Sequence, residues 1–99
     1  PITPEEIAEE SYRAYKAAAA VAHTHVRDFQ GRPSQDVDLF REVHDRIKEK
    51  CDMIVQFSSS AGALVTGAGR EKRIAPIIAV RPEMASLNLS SMNLGGHLF

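Results

Sequence analysis

Two short apolar runs, residues 19–26 and 53–57, flank an amphipathic stretch, and this arrangement limits the fold more than any other feature of the chain. Each run is too short for a core helix and reads as a buried strand. Between them Ser34 or Asp36 offers a helix cap, and Val37, Phe40, Val43 and Ile47 recur at helical spacing. Lys48 and Lys50 fall in the last turn, where the helix dipole favours cations. Strand, helix, strand in this order predicts an α/β protein built of parallel βα units.

The flanks extend the pattern. Thr3-Pro4-Glu5-Glu6 has the form of a helix start: a capping threonine, proline at the first helical position and a glutamate closing a capping box. Ile7, Ser11, Ala14, Tyr15 and Ala18 continue it as one stripe. Residues 27–35, with Gly31 and Pro33, read as a loop, and so do residues 58–69, with Gly62, Gly67 and Gly69. Pro76 and Pro82 argue against a regular helix over residues 74–80. Residues 84–89 alternate and predict a third strand. The first helix has no strand before it. Three parallel strands with so few helices leave two unpaired edges and one poorly covered face. Such a pattern fits a part of a larger barrel or sheet, as does a sequence that opens on Pro1 rather than methionine.

Composition narrows the function classes. With 99 residues there is room for one small domain. Twelve basic side chains against thirteen acidic ones leave no footprint for nucleic acid or a membrane surface. A single cysteine, Cys51, excludes an internal disulfide and fits a reducing, cytoplasmic compartment. It has no basic or histidine neighbour in sequence and reads as a structural thiol. No apolar run approaches the roughly 20 residues of a membrane span.

Chemistry concentrates in His23-Thr24-His25, at the end of the first strand. Side chains two apart on a strand share a face, with Cα atoms roughly 6–7 Å apart. Two imidazoles so placed can ligate one metal ion, and the C-terminal ends of parallel strands are where α/β active sites lie. The same spacing also arises from two histidines satisfied by hydrogen bonds on a buried strand. Arg27 and Asp28 follow, either as a charge pair at an active-site mouth or as a loop ion pair. Ser58-Ser59-Ser60 after the second strand can bind a carboxylate or phosphate oxygen, or simply be loop. Ser86 and Asn88 share a face of the third strand and need polar partners. His44, on the second helix, reads as solvated.

Taken together, these segments resemble one family. Residues 1–8 (PITPEEIA), 23–28 (HTHVRD), 31–36 (GRPSQD), 73–76 (RIAP), 81–88 (RPEMASLN) and 91–95 (SMNLG) look like the early part of the β-keto acid cleavage enzymes, over essentially the whole chain. The resemblance implies a TIM (β/α)8 barrel, of which residues 1–99 span the first barrel helix to about the fourth strand. It implies condensation of a β-keto acid with acetyl-CoA to give acetoacetate and a shortened acyl-CoA. It implies a divalent metal, usually zinc, held by His23, His25 and a glutamate beyond Phe99. It implies that Ser58 and Ser86 contact the substrate carboxylate, and that the assembled enzyme is a homo-oligomer. The chain alone is then expected to be inactive.

Two departures bear on that resemblance. The family's glycine pair after Ser58 is replaced by Ser59-Ser60-Ala61-Gly62, and extra Cβ atoms there keep backbone N–H groups further from a substrate. The family's glycine before the histidine strand is Ala18, for which a left-handed turn costs on the order of 1 kcal/mol. The rival reading is a non-catalytic α/β piece that assembles with copies of itself or with a partner chain.

Overall fold

A computed structural model describes residues 1–59, 70–87, 93–94 and 97–98. Helix α1 spans Pro4–Lys16 and strand β1 Val21–Thr24; α2 spans Val37–Lys50 and β2 Ile54–Phe57; α3 spans Arg70–Val80 and β3 Met84–Ala85. Strands β1, β2 and β3 form one parallel sheet in that order. Two residues each of β4 (Asn93–Leu94) and β5 (His97–Leu98) pair antiparallel. The sequence reading assigned no element to this tail.

The start of α1 is built as its sequence predicts. The Thr3 hydroxyl accepts from the Glu6 N–H at 3.1 Å, and the Glu6 carboxylate accepts from the Thr3 and Ile2 N–H groups. Those backbone bonds, Ile2 first, hold the Glu6 carboxyl below its ordinary pKa. The buried stripe is Pro4, Ile7, Ala8 and Ser11. Ala14 and Tyr15 are exposed, so the predicted stripe ends a turn early: by Ala14 the helix overlies the outer edge of β1, where no described residue covers it.

The helix closes in a Schellman turn. Ala18 N–H donates to Tyr15 O and Ala19 N–H to Ala14 O, with Ala18 at φ +74°. The left-handed residue expected at this position is therefore present, but carried by alanine.

Helix α2 starts at the second of the two predicted caps. The Asp36 carboxylate accepts from the Asp38 and Leu39 N–H groups. Phe40, Val43 and Ile47 enter the core as their spacing predicts, with Ile7, Ala8, Ala22, Val26, Met53, Val55 and Phe57. Phe40 and Phe57 meet edge to face at 4.8 Å, worth about 0.5–1.5 kcal/mol beyond their area. His44 is half-buried rather than solvated: its Nδ1 lies 3.0 Å from the Asp45 carboxylate and its ring 6.5 Å from Phe57.

The third helix corrects the sequence reading. Pro76 lies inside α3 and is fully buried. Proline in a helix interior costs about 3 kcal/mol. Burial of Pro76, with Ile77 and Val80 packed on the core, offsets that cost. Pro82 lies beyond the helix and helps to stop it. Arg81 adopts φ +56° and its N–H donates to Ile77 O, a left-handed cap followed at once by proline. The third strand is also shorter than the alternation predicts, ending at Ala85. Of the predicted loop after β2, residues 60–69 lie outside the described residues, as does Asn88.

The lower end of the sheet is clamped by one ion pair. Glu83 Oε2 accepts from the Val55 N–H at 3.1 Å, Glu83 Oε1 meets Lys48 Nζ at 3.0 Å, and Lys48 also donates to Met53 O. Burial pushes the Glu83 carboxyl up, but the bonds from Lys48 and Val55 and the charges of Lys48 and His44 outweigh it, leaving it lowered. Three elements are joined there: the end of α2, the start of β2 and the lead-in to β3.

Among the described residues all three helices pack on one sheet face, and the other is open. Val21, His23 and His25, then Ile54, then Met84 are exposed, while Ala22, Thr24, Val55 and Phe57 are buried. Among the described residues β1 and β3 each pair with one neighbour only. The parallel α/β sheet matches the sequence expectation. No helix among the described residues is long and apolar enough to cross a membrane.

The Schellman turn makes a prediction of opposite signs. Ala18→Gly should raise the unfolding free energy by about 1 kcal/mol, because glycine adopts the left-handed conformation without a Cβ clash. Ala14→Gly, inside α1, should lower it by about 1 kcal/mol. Urea denaturation of both variants checks this, and equal signs would refute it.

Candidate functional site

The upper end of β1 carries the histidines because strand alternation separates them from the core. Ala22, Thr24 and Val26 turn inward, so His23 and His25 share the open face. Their ring centroids are 5.0 Å apart and their planes nearly perpendicular, at 78°. His23 Nδ1 lies 2.8 Å from Gln56 Oε1 on the neighbouring strand. Partial burial pushes the His25 imidazole below its ordinary pKa, and the charges of His23 and Arg27 push it further. A neutral imidazole keeps a lone pair for a metal at neutral pH.

A cleft of about 430 Å³ runs along the free edge of β1 beneath α1. Its walls include Ser11, Ala14, Ala22, His23, His25 and Arg27. Thr24 also lines it, and its buried hydroxyl has no hydrogen-bond partner among the described residues. No group of three or more His, Cys, Asp or Glu side chains that could hold a metal occurs among the described residues.

The loop after β1 is pinned by its own polar groups. Arg27 and Asp28, read in sequence as a possible charge pair, each bond elsewhere. Arg27 Nη1 donates to Gly31 O at 2.7 Å. The Asp28 carboxylate accepts from the Gln30 N–H, the Arg32 N–H and Arg32 Nε, all within 3.0 Å. The backbone bond from Arg32 leads in lowering the Asp28 pKa against a smaller effect of burial. Asp28 N–H to Arg32 O, Gly31 N–H to Asp28 O and Ser34 N–H to Val26 O close the loop. Gly31 sits at φ +78°, a left-handed conformation that explains glycine at the turn.

The two serines stand at the upper ends of the other strands. Ser58 follows β2 directly and is 3% exposed. Ser86 follows β3 and is half-buried. The Ser59 N–H donates to Ser86 Oγ at 3.2 Å, Ser59 Oγ donates to Ser86 O at 2.7 Å, and Ser86 N–H donates to Phe57 O. Ser86 thereby ties the exits of β2 and β3 together. The four sequence-predicted residues all lie at one end of three adjacent strands, with the histidines forming one cluster and the Ser59–Ser86 contacts another.

Sequence reasoning passed over Gln56. Its signal was a carboxamide in the middle of the apolar run MIVQF, opposite His23 in register. The loop geometry makes a prediction. Asp28→Ala should remove the acceptor shared by three donors and expose the Gln30 and Arg32 amides to hydrogen exchange, leaving the α2 core amides protected. Unchanged protection at Gln30 and Arg32 would refute it.

Comparison with known proteins follows the same residues. The family model of the beta-keto acid cleavage enzymes matches residues 1–99. A 3-keto-5-aminohexanoate cleavage enzyme of Fusobacterium nucleatum is 42% identical over 96 residues, covering 97% of this chain and 34% of the relative. A second enzyme of that name, from Acetoanaerobium sticklandii, is 44% identical over 97 residues, covering 97% of this chain and 34% of the relative. A 3,5-dioxohexanoate:acetyl-CoA acetone transferase of Paraburkholderia graminis is 38% identical over 96 residues, covering 96% of this chain and 30% of the relative. The chain spans about a third of the length of the curated relatives it matches. With the family model matched from end to end, the chain belongs to the β-keto acid cleavage enzyme family.

Proposed function

We propose that residues 1–99 supply the metal half-site and part of the substrate wall of an enzyme that exchanges acyl groups between a β-keto acid and acetyl-CoA. The observation that carries this reading is the histidine pair. Two imidazoles bound to one zinc, with Zn–N about 2.0–2.1 Å and tetrahedral angles, have ring centroids about 5 Å apart. The observed separation is 5.0 Å. His23 and His25 are the proposed ligands, with a glutamate from further along the whole enzyme completing the protein shell. When bound there, the metal supplies a Lewis acid for the keto oxygen.

The remaining roles belong to side chains of this chain. Ser86 Oγ accepts the Ser59 N–H, which leaves its own proton for a carboxylate oxygen of the substrate. Ser58 is proposed to act beside it at the exit of β2. Arg27, fixed by Gly31 O, stands in the cleft wall and attracts anionic groups without a flexible search. Among the described residues the parallel sheet has one face bare and both edges free, as a portion of a TIM barrel would, and the relatives' greater length supports that reading. The name of the Paraburkholderia graminis relative contains acetyl-CoA, which supports it as co-substrate.

The uncovered face favours a second reading for the isolated chain: association with copies of itself. Val21, Ile54 and Met84 are exposed on that face beside free strand edges. Sedimentation should show species larger than a monomer.

Zinc titration of the isolated chain tests the metal reading. Two ligands give an incomplete shell, so binding should be weaker than nanomolar and should vanish in the His23→Ala His25→Ala variant. Binding should weaken as pH falls far enough to protonate His25, whose lowered pKa puts that loss below the ordinary histidine range. A monomer with nanomolar affinity would overturn the ligand set. The isolated chain should show no turnover of a β-keto acid with acetyl-CoA above that of the double variant; measurable turnover would overturn the assignment of the remaining machinery to other segments.

A further inference from the structure

An imidazole ligates a metal through its unprotonated nitrogen, and its other nitrogen carries a proton that needs an acceptor. For His23 the acceptor is identifiable. Gln56 faces it across the β1–β2 ladder, on the open side of the sheet, and His23 Nδ1 lies 2.8 Å from Gln56 Oε1. A carboxamide oxygen accepts and never donates, so the proton in this bond sits on Nδ1. The lone pair is then on Nε2. Histidine in water prefers the opposite tautomer, with its proton on Nε2, so the bond reverses a default.

We infer that Gln56 is a positioning residue for the metal half-site: it holds His23 in the Nδ1–H tautomer and presents Nε2 as the ligand atom. The inference rests on the metal reading proposed above.

The placement of Gln56 fits that role. Its neighbours Val55 and Phe57 are completely buried, so the strand has little freedom to shift. Glu83 holds the Val55 N–H from one side of the strand's length, and the Ser86 N–H holds Phe57 O at the other. The side chain therefore leaves a backbone secured on both sides of it, as an orienting group needs. A leucine at this position would preserve the strand and remove only the acceptor. Partners of this kind, lost by mutation, commonly change metal affinity about 10–100-fold.

The test uses the whole chain with 15N-labelled histidine. Long-range 1H–15N spectra of the metal-free protein above pH 7 report which nitrogen of His23 is protonated, with His23→Ala for assignment. Zinc titration is run on the same samples. Wild type should show the Nδ1–H form. Gln56→Leu should lose that preference and weaken zinc binding about tenfold or more, with an otherwise native spectrum. Gln56→Glu, whose carboxylate also only accepts, should keep both the tautomer and the affinity, and it serves as the test should the leucine variant not fold. A wild-type His23 protonated at Nε2, a folded Gln56→Leu with unchanged affinity, or a folded Gln56→Glu that loses the tautomer overturns the inference. A wild type in the Nδ1–H form that binds no zinc overturns the metal reading and the positioning role with it, and the tautomer result then locates the failure at the metal rather than at Gln56.

Discussion

The parallel register of β1 against β2 is the constraint on which the rest of the structure depends. Val21 pairs with Ile54, Ala22 with Val55, His23 with Gln56 and Thr24 with Phe57. Because side chains alternate, this one alignment sends Ala22, Val55 and Phe57 under the helices and His23 and Gln56 to the open face. A slip of one residue in a strand's facing would put an imidazole into the Phe40–Val43–Ile47 core and leave valine outside. Hydrophobic burial and the site's chemistry thus reject the same errors, and the helical stripe of α2 stabilises the histidine pair without touching it.

The two ends of the sheet divide the work. At the lower end Lys48 and Glu83 spend their charges on backbone groups of the β2 entrance and on each other, a wholly structural use. At the upper end the polar groups order the loop and the strand exits. Asp28 absorbs the loop's donors, Arg27 is held by one carbonyl, and Ser86 accepts from the Ser59 backbone. Side-chain order at that end comes largely from hydrogen bonds, whereas the core beneath is apolar and close-packed.

The sequence was most legible where a local rule and the tertiary packing agreed. The Thr3–Glu6 capping box, the Asp36 cap and the stripe Phe40, Val43, Ile47 need only helix geometry. The shared face of His23 and His25 needs only strand alternation. It was least legible where packing overruled propensity. Pro76 marks α3 as broken by any local measure, yet its ring is buried against the core and the helix continues through it. Ala14 fits the apolar stripe of α1 but overlies a cleft, since what a helix face meets depends on the neighbouring strand. Gln56 was missed because a polar residue in an apolar run has meaning only once its cross-strand neighbour is known. For Ser58 and Ser86 the strand ends were legible but the partners were not, because the Ser59–Ser86 bonds join segments far apart in sequence.

The closeness of His23 and His25 along the chain has a consequence for the energetics of any bound ion. A metal that bridges distant segments removes much of the freedom of the unfolded polypeptide and so becomes part of what holds the fold. Ligands separated by one residue close almost no loop, and the unfolded chain can bring the same two imidazoles together at small entropic cost. An ion at this pair therefore gains little from loop closure, and its preference for the native state comes from the fixed strand geometry, from the Gln56 acceptor beside His23 and from whatever distant ligand joins it. By its position in the sequence, the proposed half-site suits an ion that takes part in chemistry and is exchanged, rather than one that serves as a structural staple.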